Sequence, residues 1–162
     1  MFKIGIGYDI HSFSDQSTDY IMIGGIKIPY TKSISAHSDG DVLLHSLTDA
    51  ILGAIAEGSI GVHFPNTDDR WKNASSSEFI KYSYDLTLKK GYEIGNIDVI
   101  VICQEPKIMP YAINIRESIA DLLKIDIDQI NIKAVTPEGL GALGRREGIA
   151  CQAAVLLIKR YS

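Results

Sequence analysis

The sequence has only two cysteines, Cys103 and Cys151, and each stands alone in an apolar run. There is no CxxC pair and no disulfide framework, so two buried thiols in a reducing cytoplasm are expected. Positive charge is not in excess either, since 16 Lys and Arg face 20 Asp and Glu. The composition therefore gives no support for binding to nucleic acid or to an anionic membrane.

Long hydrophobic runs are also lacking. Asp9 interrupts the first apolar stretch, so neither a signal peptide nor a transmembrane span is predicted. The chain has 162 residues, of which 46% are hydrophobic and 22% are charged. These values are typical of one globular domain, so residues 1–162 are predicted to form a single domain in the cytoplasm.

Hydrophobic spacing predicts strands near both ends of the sequence and three helices between them. Helices are predicted over 42–57, 76–90 and 111–123, with Asp41 as the N-cap of the first and Gly91 ending the second. Strands are predicted over 2–8, 94–103, 129–135 and 148–160, and "YIMIGGIKI" predicts a hairpin with a turn at Gly24 and Gly25. This order favours an α+β fold in which helices back a mixed sheet.

The segment "GIGYDIHSF" begins like a nucleotide-binding glycine loop but lacks the third glycine. It carries Asp9 and His11 two positions apart, which on a strand places both side chains on one face. Such a pair is compatible with a metal site and also with a surface hydrogen bond. His45 lies off the apolar stripe of its helix, four residues from both Asp41 and Asp49. Asp49 is placed to hydrogen-bond the second ring nitrogen of His45, although a solvated helix face has the same pattern.

One aspartate and two histidines with an open fourth position match a catalytic zinc site. Glu138, after "AVTP", is a hard oxygen ligand that suits a magnesium ion completed by phosphate and water, or else an unpartnered loop carboxylate. His37 and Ser38 in "AHSDGD" are candidate anion donors. A hydrolase triad is disfavoured because no G-x-S-x-G elbow is present.

Several motifs together match one family. "GIGYDIHSF", "GGIKIP", "AHSDGDVLLHSLTDAILGA", "IGVHFPNTD", "PKIMP" and "LGRREGIACQA" resemble the 2-C-methyl-D-erythritol 2,4-cyclodiphosphate synthases of the non-mevalonate isoprenoid pathway. The resemblance runs from residue 3 to residue 159. It implies a homotrimer with active sites between subunits, each subunit being an α/β sandwich with a four-stranded mixed sheet and helices on one face.

The resemblance also implies a reaction. A cytidine diphosphate ester of methylerythritol 2-phosphate would cyclise by metal-assisted intramolecular phosphoryl transfer and release CMP, which makes the enzyme a phosphorus–oxygen lyase. It implies one zinc ion per subunit at Asp9, His11 and His45, and a second divalent cation, Mg²⁺ or Mn²⁺, at Glu138. His37 and Thr136 are implied as catalytic residues.

Substrate contacts are implied for a larger set of residues, and an isoprenoid diphosphate is implied in a central cavity near Ala142, Arg145 and Glu147. The implied substrate-binding residues are Asp9, His11, His37, Ser38, Asp49, Ser59, Ile60, Gly61, Phe64, Pro65, Asn66, Thr67, Asp68, Cys103, Pro106, Lys107, Ile108, Met109, Val135, Thr136, Pro137, Glu138, Ala142 and Arg145.

The chain departs from the family pattern at a few positions. Ser59 and Asn66 are neutral where acids are usual, and Gly139 and Ala142 replace larger residues. Two alternative functions fit the same residues. One is a zinc phosphohydrolase in which water is the nucleophile, and the other is a non-catalytic trimer that binds isoprenoid phosphate.

Overall fold

The computed structural model of the chain describes residues 1–160, which form strands, helices and short 3₁₀ turns. The strands are β1 (Phe2–Ser17), β2 (Tyr20–Ile23), β3 (Ile26–Pro29), β4 (Lys32–Ile34), β5 (Tyr92–Ile102), β6 (Ile130–Val135) and β7 (Gly148–Lys159). The helices are α1 (Val42–Ala54), α2 (Ile60–His63), α3 (Ser76–Lys89), α4 (Ala112–Leu123) and α5 (Gly141–Gly144). The 3₁₀ turns are Asp69–Trp71, Met109–Tyr111 and Ile127–Gln129.

The main sheet is mixed and has five strands in the order β4-β1-β7-β5-β6. β7 is antiparallel to both β1 and β5, whereas β5 and β6 are parallel. The expectation of four strands is wrong, because β4 adds a fifth strand in a segment for which no strand was predicted. It pairs with the far end of β1 through Phe13 with Ile34 and Ser17 with Lys32. Strands β2 and β3 form a separate hairpin.

Two one-turn helices, α2 and α5, lie in segments for which no helix was predicted. The first long helix ends at Ala54, three residues before its predicted end. No helix within residues 1–160 is both long and apolar enough to cross a lipid bilayer. These differences concern short elements, whose few residues carry too little hydrophobic periodicity to be recognised.

The helices cover one face of strand β1 and leave the other face uncovered. Gly5 and Gly7 point toward α1 and are buried. The alternating residues point the other way and form a row of exposed apolar side chains, with Ile4 77% accessible. This row consists of Phe2, Ile4, Ile6, Tyr8 and Ile10. A contiguous exposed apolar row of this kind is typical of a surface that contacts another molecule.

Helix α1 lies unusually close to β1. A Cβ atom at Gly7 would be 1.8 Å from the carbonyl oxygen of Ser46, and one at Gly5 would be 1.9 Å from that of Ala50. Only glycine allows the helix backbone to rest directly on the strand at these positions. The glycines that resembled a nucleotide loop therefore set the distance between the strand that carries Asp9 and the helix that carries His45.

A buried carboxylate fixes the start of α1. Asp41 accepts the backbone N–H of Leu44 at 3.0 Å, so the predicted N-cap is confirmed. Its two oxygens also accept the N–H groups of Gly24 and Gly25 at 2.9 and 2.7 Å. Both glycines have positive φ angles of 64° and 80°, as a tight hairpin turn requires. The hairpin and the helix are thus tied together four residues before His45.

Candidate active site

Three potential ligand atoms meet where α1 crosses β1. Asp9 Oδ2 is 2.8 Å from His11 Nε2 and 3.1 Å from His45 Nδ1, and the two nitrogens are 3.1 Å apart. Asp9 and His11 lie on the same face of β1, as their spacing predicts, and His45 reaches them from the first turn of α1. The convergence of these three side chains is confirmed.

The size of this triangle fits a tetrahedral metal site. Ligands bound at 2.0–2.1 Å in a tetrahedron are about 3.3 Å apart, slightly more than the observed separations. Burial raises the pKa of Asp9, but hydrogen bonds from His11 and His45 outweigh that effect and lower it to about 2. The carboxylate is therefore ionised at neutral pH. One anionic oxygen and two imidazole nitrogens form a donor set suited to a divalent metal.

The second ring nitrogen of His45 is held by serine hydroxyls. His45 Nε2 is 2.7 Å from Ser76 Oγ and 3.0 Å from Ser38 Oγ. The Asp49 carboxylate instead accepts the backbone N–H of Ile60 at 2.6 Å, so the prediction that it supports His45 is wrong. Burial raises the pKa of Asp49, and the nearby charge of Asp9 acts in the same direction.

His45 is buried, so the alternative of a solvated helix face does not hold. The residue is 8% exposed, and nearly all of α1 is buried because the helix lies between the sheet and α3. A polar stripe on a helix was compatible with a solvated face. The structure shows that this stripe faces the ligand cluster and the hairpin instead.

A cavity of about 530 Å³ opens at the ligand cluster. Nine of the residues predicted to bind substrate line it, together with His45: Asp9, His11, His37, Ser38, Ile60, Gly61, Phe64, Pro65 and Asn66. The remaining lining residues were not predicted: Ser35, Ala36, Trp71 and Phe79. Of these, only Trp71 had a sequence signal, because it is the single tryptophan and lies in a polar stretch. Within residues 1–160, His37 Nε2 and Trp71 Nε1 are buried without a hydrogen-bond partner, and both residues border this cavity.

A second cavity of about 270 Å³ lies where the parallel strands β5 and β6 end. Its lining is Cys103, Pro106, Lys107, Ile108, Met109, Pro110, Ala134, Val135 and Thr136, all of them predicted except Pro110 and Ala134. Burial raises the pKa of the Cys103 thiol to about 11, and its Sγ donates to the carbonyl of Pro106. The carboxyl ends of parallel strands are a common place for ligand binding.

Glu138 lies on the loop after β6, and its backbone has a positive φ of 54°. Its Oε1 accepts the hydroxyl of Thr136 at 3.1 Å. Arg145 borders a shallow pocket nearby and pairs with Glu147 at 3.1 Å. Within residues 1–160, the cavities at Asp9 and at Cys103 share no lining residue. Glu138 lines neither of them, so within the described residues it does not share either cavity with the predicted zinc ligands.

The other predicted contact residues line neither of these two cavities. Ser59 is the N-cap residue of α2. Asp68 pairs with Arg70 at 2.6 Å. Three more residues also fall outside both lining sets: Thr67, Pro137 and Ala142.

Comparison with known proteins identifies the family. The sequence model of the YgbB family matches residues 2–158. The chain belongs to the YgbB family. A relative, the 2-C-methyl-D-erythritol 2,4-cyclodiphosphate synthase of Ehrlichia ruminantium (strain Welgevonden), is 57% identical over 165 residues, covering 99% of this chain and 95% of the relative. The resemblance inferred from the motifs is confirmed.

Solved structures of family members have the same fold. The Plasmodium falciparum IspF in complex with CDP has a TM-score of 0.87 and 40% identity, covering 99% of this chain and 97% of that one. The bifunctional IspDF from Campylobacter jejuni has a TM-score of 0.93 and 42% identity over the whole of this chain. This chain spans only 43% of that bifunctional protein.

Proposed function

We propose that the protein converts 4-diphosphocytidyl-2-C-methyl-D-erythritol 2-phosphate to 2-C-methyl-D-erythritol 2,4-cyclodiphosphate and CMP, a step of non-mevalonate isoprenoid biosynthesis. The observation that carries this proposal is the triangle of Asp9, His11 and His45 at the edge of the first cavity. Family membership supports it, since the relative from Ehrlichia ruminantium carries the name of this synthase.

The reaction forms one phosphorus–oxygen bond and breaks another. An oxygen of the 2-phosphate bonds to the β-phosphorus, and the bond from that phosphorus to the oxygen bridging the α- and β-phosphates breaks, so CMP leaves with the electron pair. No water is consumed, and the enzyme is therefore a phosphorus–oxygen lyase. Because nucleophile and electrophile belong to one molecule, catalysis depends mainly on positioning and on stabilisation of phosphate charge.

In this proposal, Asp9, His11 and His45 hold one zinc ion, which when bound polarises a β-phosphate oxygen. The unpartnered Nε2 of His37 and the hydroxyl of Ser38 are available to hydrogen-bond phosphate oxygens at the cavity wall. Such donors are strongest when the acceptor is charged, as it is here. Ile60 and Gly61 of α2 form a wall of this cavity, against which the methylerythritol chain would lie.

The second cavity suits the cytosine base. Its lining is largely apolar and its thiol is neutral. The desolvation cost is therefore smaller for an uncharged base than for a charged group that enters this cavity. Lys107 at its edge supplies a positive charge for the adjoining phosphates. Glu138 provides one carboxylate, which fits a magnesium or manganese ion that takes its other ligands from phosphate and water. Thr136, hydrogen-bonded to Glu138, would then lie near such an ion.

We further propose a homotrimer with active sites between subunits. The exposed apolar row on β1 provides a surface to bury. Association would also place the second cavity of one subunit beside the first cavity of its neighbour, which a single chain does not achieve. Arg145, near Ala142, would then line a central cavity in which an isoprenoid diphosphate finds a cationic partner.

The decisive experiment is incubation with the cytidine diphosphate substrate, Zn²⁺ and Mg²⁺, followed by phosphorus NMR of the products. Cyclic diphosphate together with CMP is the expected result, and protein stripped of metal by a chelator is the control. An open-chain phosphate would instead identify a zinc phosphohydrolase. No turnover, together with tight binding of an isoprenoid diphosphate, would identify a non-catalytic binding protein.

A further inference from the structure

The hydrogen bonds behind His45 continue to a second carboxylate. The Ser76 hydroxyl, 2.7 Å from His45 Nε2, also contacts Asp39 Oδ1, and the Ser76 backbone N–H donates to Asp39 Oδ2 at 3.0 Å. Asp39 Oδ1 is further fixed by the backbone N–H of Asp41 at 3.1 Å. Ser76 is fully buried at the first position of α3.

The donor and acceptor roles in this chain follow from chemistry alone. An ionised carboxylate only accepts hydrogen bonds, so the single hydroxyl hydrogen of Ser76 is directed to Asp39. The Ser76 oxygen is then left as an acceptor toward His45, which calls for a ring hydrogen on His45 Nε2. Without metal, the Asp9 carboxylate competes for that hydrogen at Nδ1, the ring atom that faces Asp9 and His11. Binding of a metal requires the lone pair on Nδ1 and therefore the hydrogen on Nε2, which is the arrangement that Ser76 favours.

We infer that Ser76, oriented by Asp39, is a positioning residue that fixes the tautomer and ring orientation of His45 for metal binding. This inference rests on the proposed metal site. It assigns to a serine on another helix the role that the sequence suggested for Asp49. Hydrogen-bond partners of ligand histidines usually contribute 10- to 100-fold to metal affinity.

Ser38 also reaches His45 Nε2, at 3.0 Å, but the two serines differ in burial. Ser38 is half-buried and borders the first cavity, whereas Ser76 is fully buried. A single N–H group donates well to only one acceptor. The shorter contact and full burial assign that acceptor to Ser76, which leaves the Ser38 hydroxyl available to a phosphate in the cavity.

The first test compares Ser76→Ala with Ser83→Ala. Ser83 is also fully buried on α3, but its hydroxyl donates to the carbonyl of Ile80. Zinc affinity is measured by competition with a chelator. We expect roughly 10- to 100-fold weaker zinc binding for Ser76→Ala than for Ser83→Ala, and recovery in Ser76→Thr, which keeps a hydroxyl. Equal zinc affinity in the two alanine variants would overturn the inference.

The second test examines the tautomer, which a merely structural role would not change. The metal-free Asp9→Ala variant removes the carboxylate that competes at Nδ1, so its nitrogen-15 NMR should show hydrogen on Nε2 of His45. Adding Asp39→Ala removes the acceptor of the Ser76 hydroxyl, so the hydroxyl can turn toward His45 and favour hydrogen on Nδ1. We expect a shift toward that tautomer in the double variant and weaker zinc binding in Asp39→Ala alone. An unchanged tautomer would contradict the inference, whereas failure of the parent protein to bind zinc would contradict the proposed metal site itself.

Discussion

The two cavities differ in the charge of their ionisable groups, although both are partly buried. Burial favours the neutral form of an acid in each of them, and it raises the pKa of Cys103 to about 11. Burial also acts to raise the pKa of Asp9 in the first cavity, yet His11 and His45 lower that pKa to about 2. Burial alone therefore does not set the charge of a group, because hydrogen-bonding partners decide the outcome. The first cavity suits metal and phosphate, and the second suits an uncharged base.

The cavities also differ in what holds them. The first rests on β1 and α1, whose backbones touch at Gly5 and Gly7. The second is formed by segments that follow β5 and β6. Groups on regular elements are held more precisely than groups on loops, so the metal cluster belongs to the more rigid part of the site.

The largest effect is expected from breaking the ligand triangle with His45→Ala. The variant should lose zinc. Its turnover should fall on the order of a thousandfold or more, because several kcal/mol of transition-state stabilisation are lost with the metal. Its far-ultraviolet circular dichroism should resemble that of the parent, because a catalytic metal completes a site and not a core. Metal content and CMP release measure the effect. His63→Ala, outside the triangle, should keep zinc. Full activity of metal-free His45→Ala would contradict the proposal.

Separating the two cavities should also abolish activity if neighbouring subunits contribute them. Ile6→Lys introduces a charge into the exposed apolar row of β1, so the proposed trimer should dissociate. Light scattering measures the mass and CMP release the activity. The control is Ile113→Lys, an exposed position on α4. A fully active monomer of either protein would show that one subunit suffices.

A smaller effect is expected from Gly7→Ala, which tests the rigid half of the site. The added methyl would collide with the Ser46 carbonyl and push α1 away from β1. Overpacking of this kind costs about 1–3 kcal/mol of unfolding free energy, and it should weaken zinc binding by displacing His45. In Gly53→Ala, on α1, the new methyl meets no atom closer than 3.9 Å. That control should unfold no more easily than the parent in urea titrations.

Asp49→Ala is expected to weaken substrate binding more than zinc binding. The carboxylate holds the N–H of Ile60, at the start of the helix that lines the first cavity. Loss of a charged hydrogen bond of about 1.5–3 kcal/mol should loosen α2 and raise KM. Zinc affinity should stay unchanged in the chelator competition. A large loss of zinc affinity would restore the prediction that Asp49 supports His45.

The smallest effect concerns the thiol of the second cavity. Because the pKa of Cys103 is about 11, its alkylation by iodoacetamide at neutral pH should be slow and should accelerate as pH rises toward that value. Cys151, with a pKa of about 12, should react more slowly still. Mass spectrometry of the labelled peptides over a pH series measures both rates, and CDP should protect Cys103. Rapid labelling at neutral pH would show that this cavity stabilises charge.

The sequence was informative wherever one element's periodicity was enough. The spacing of two residues on a strand predicted that Asp9 and His11 share a face. The helical phase predicted that His45 lies away from the apolar stripe. The partner of His45 was missed because helical phase shows only neighbours on the same helix, such as Asp49. Ser76 comes from a helix 31 residues away, and no local pattern reveals that contact. Strand β4 was missed because its three residues form a strand only through pairing with β1.

The pairing of β1 with β7 has a consequence for the order in which the protein folds. Its main neighbour in the sheet is β7, so Asp9 lies opposite Cys151 and His11 opposite Ile149, almost the whole chain apart in sequence. Contacts between distant segments form late, because a long loop must close before they stabilise anything. During synthesis, Asp9 and His11 would be made well before β7, and β1 can pair with β7 only after that strand has been made. The geometry of the Asp9 and His11 pair is thus expected to form late in folding, although the two residues lie in the first strand.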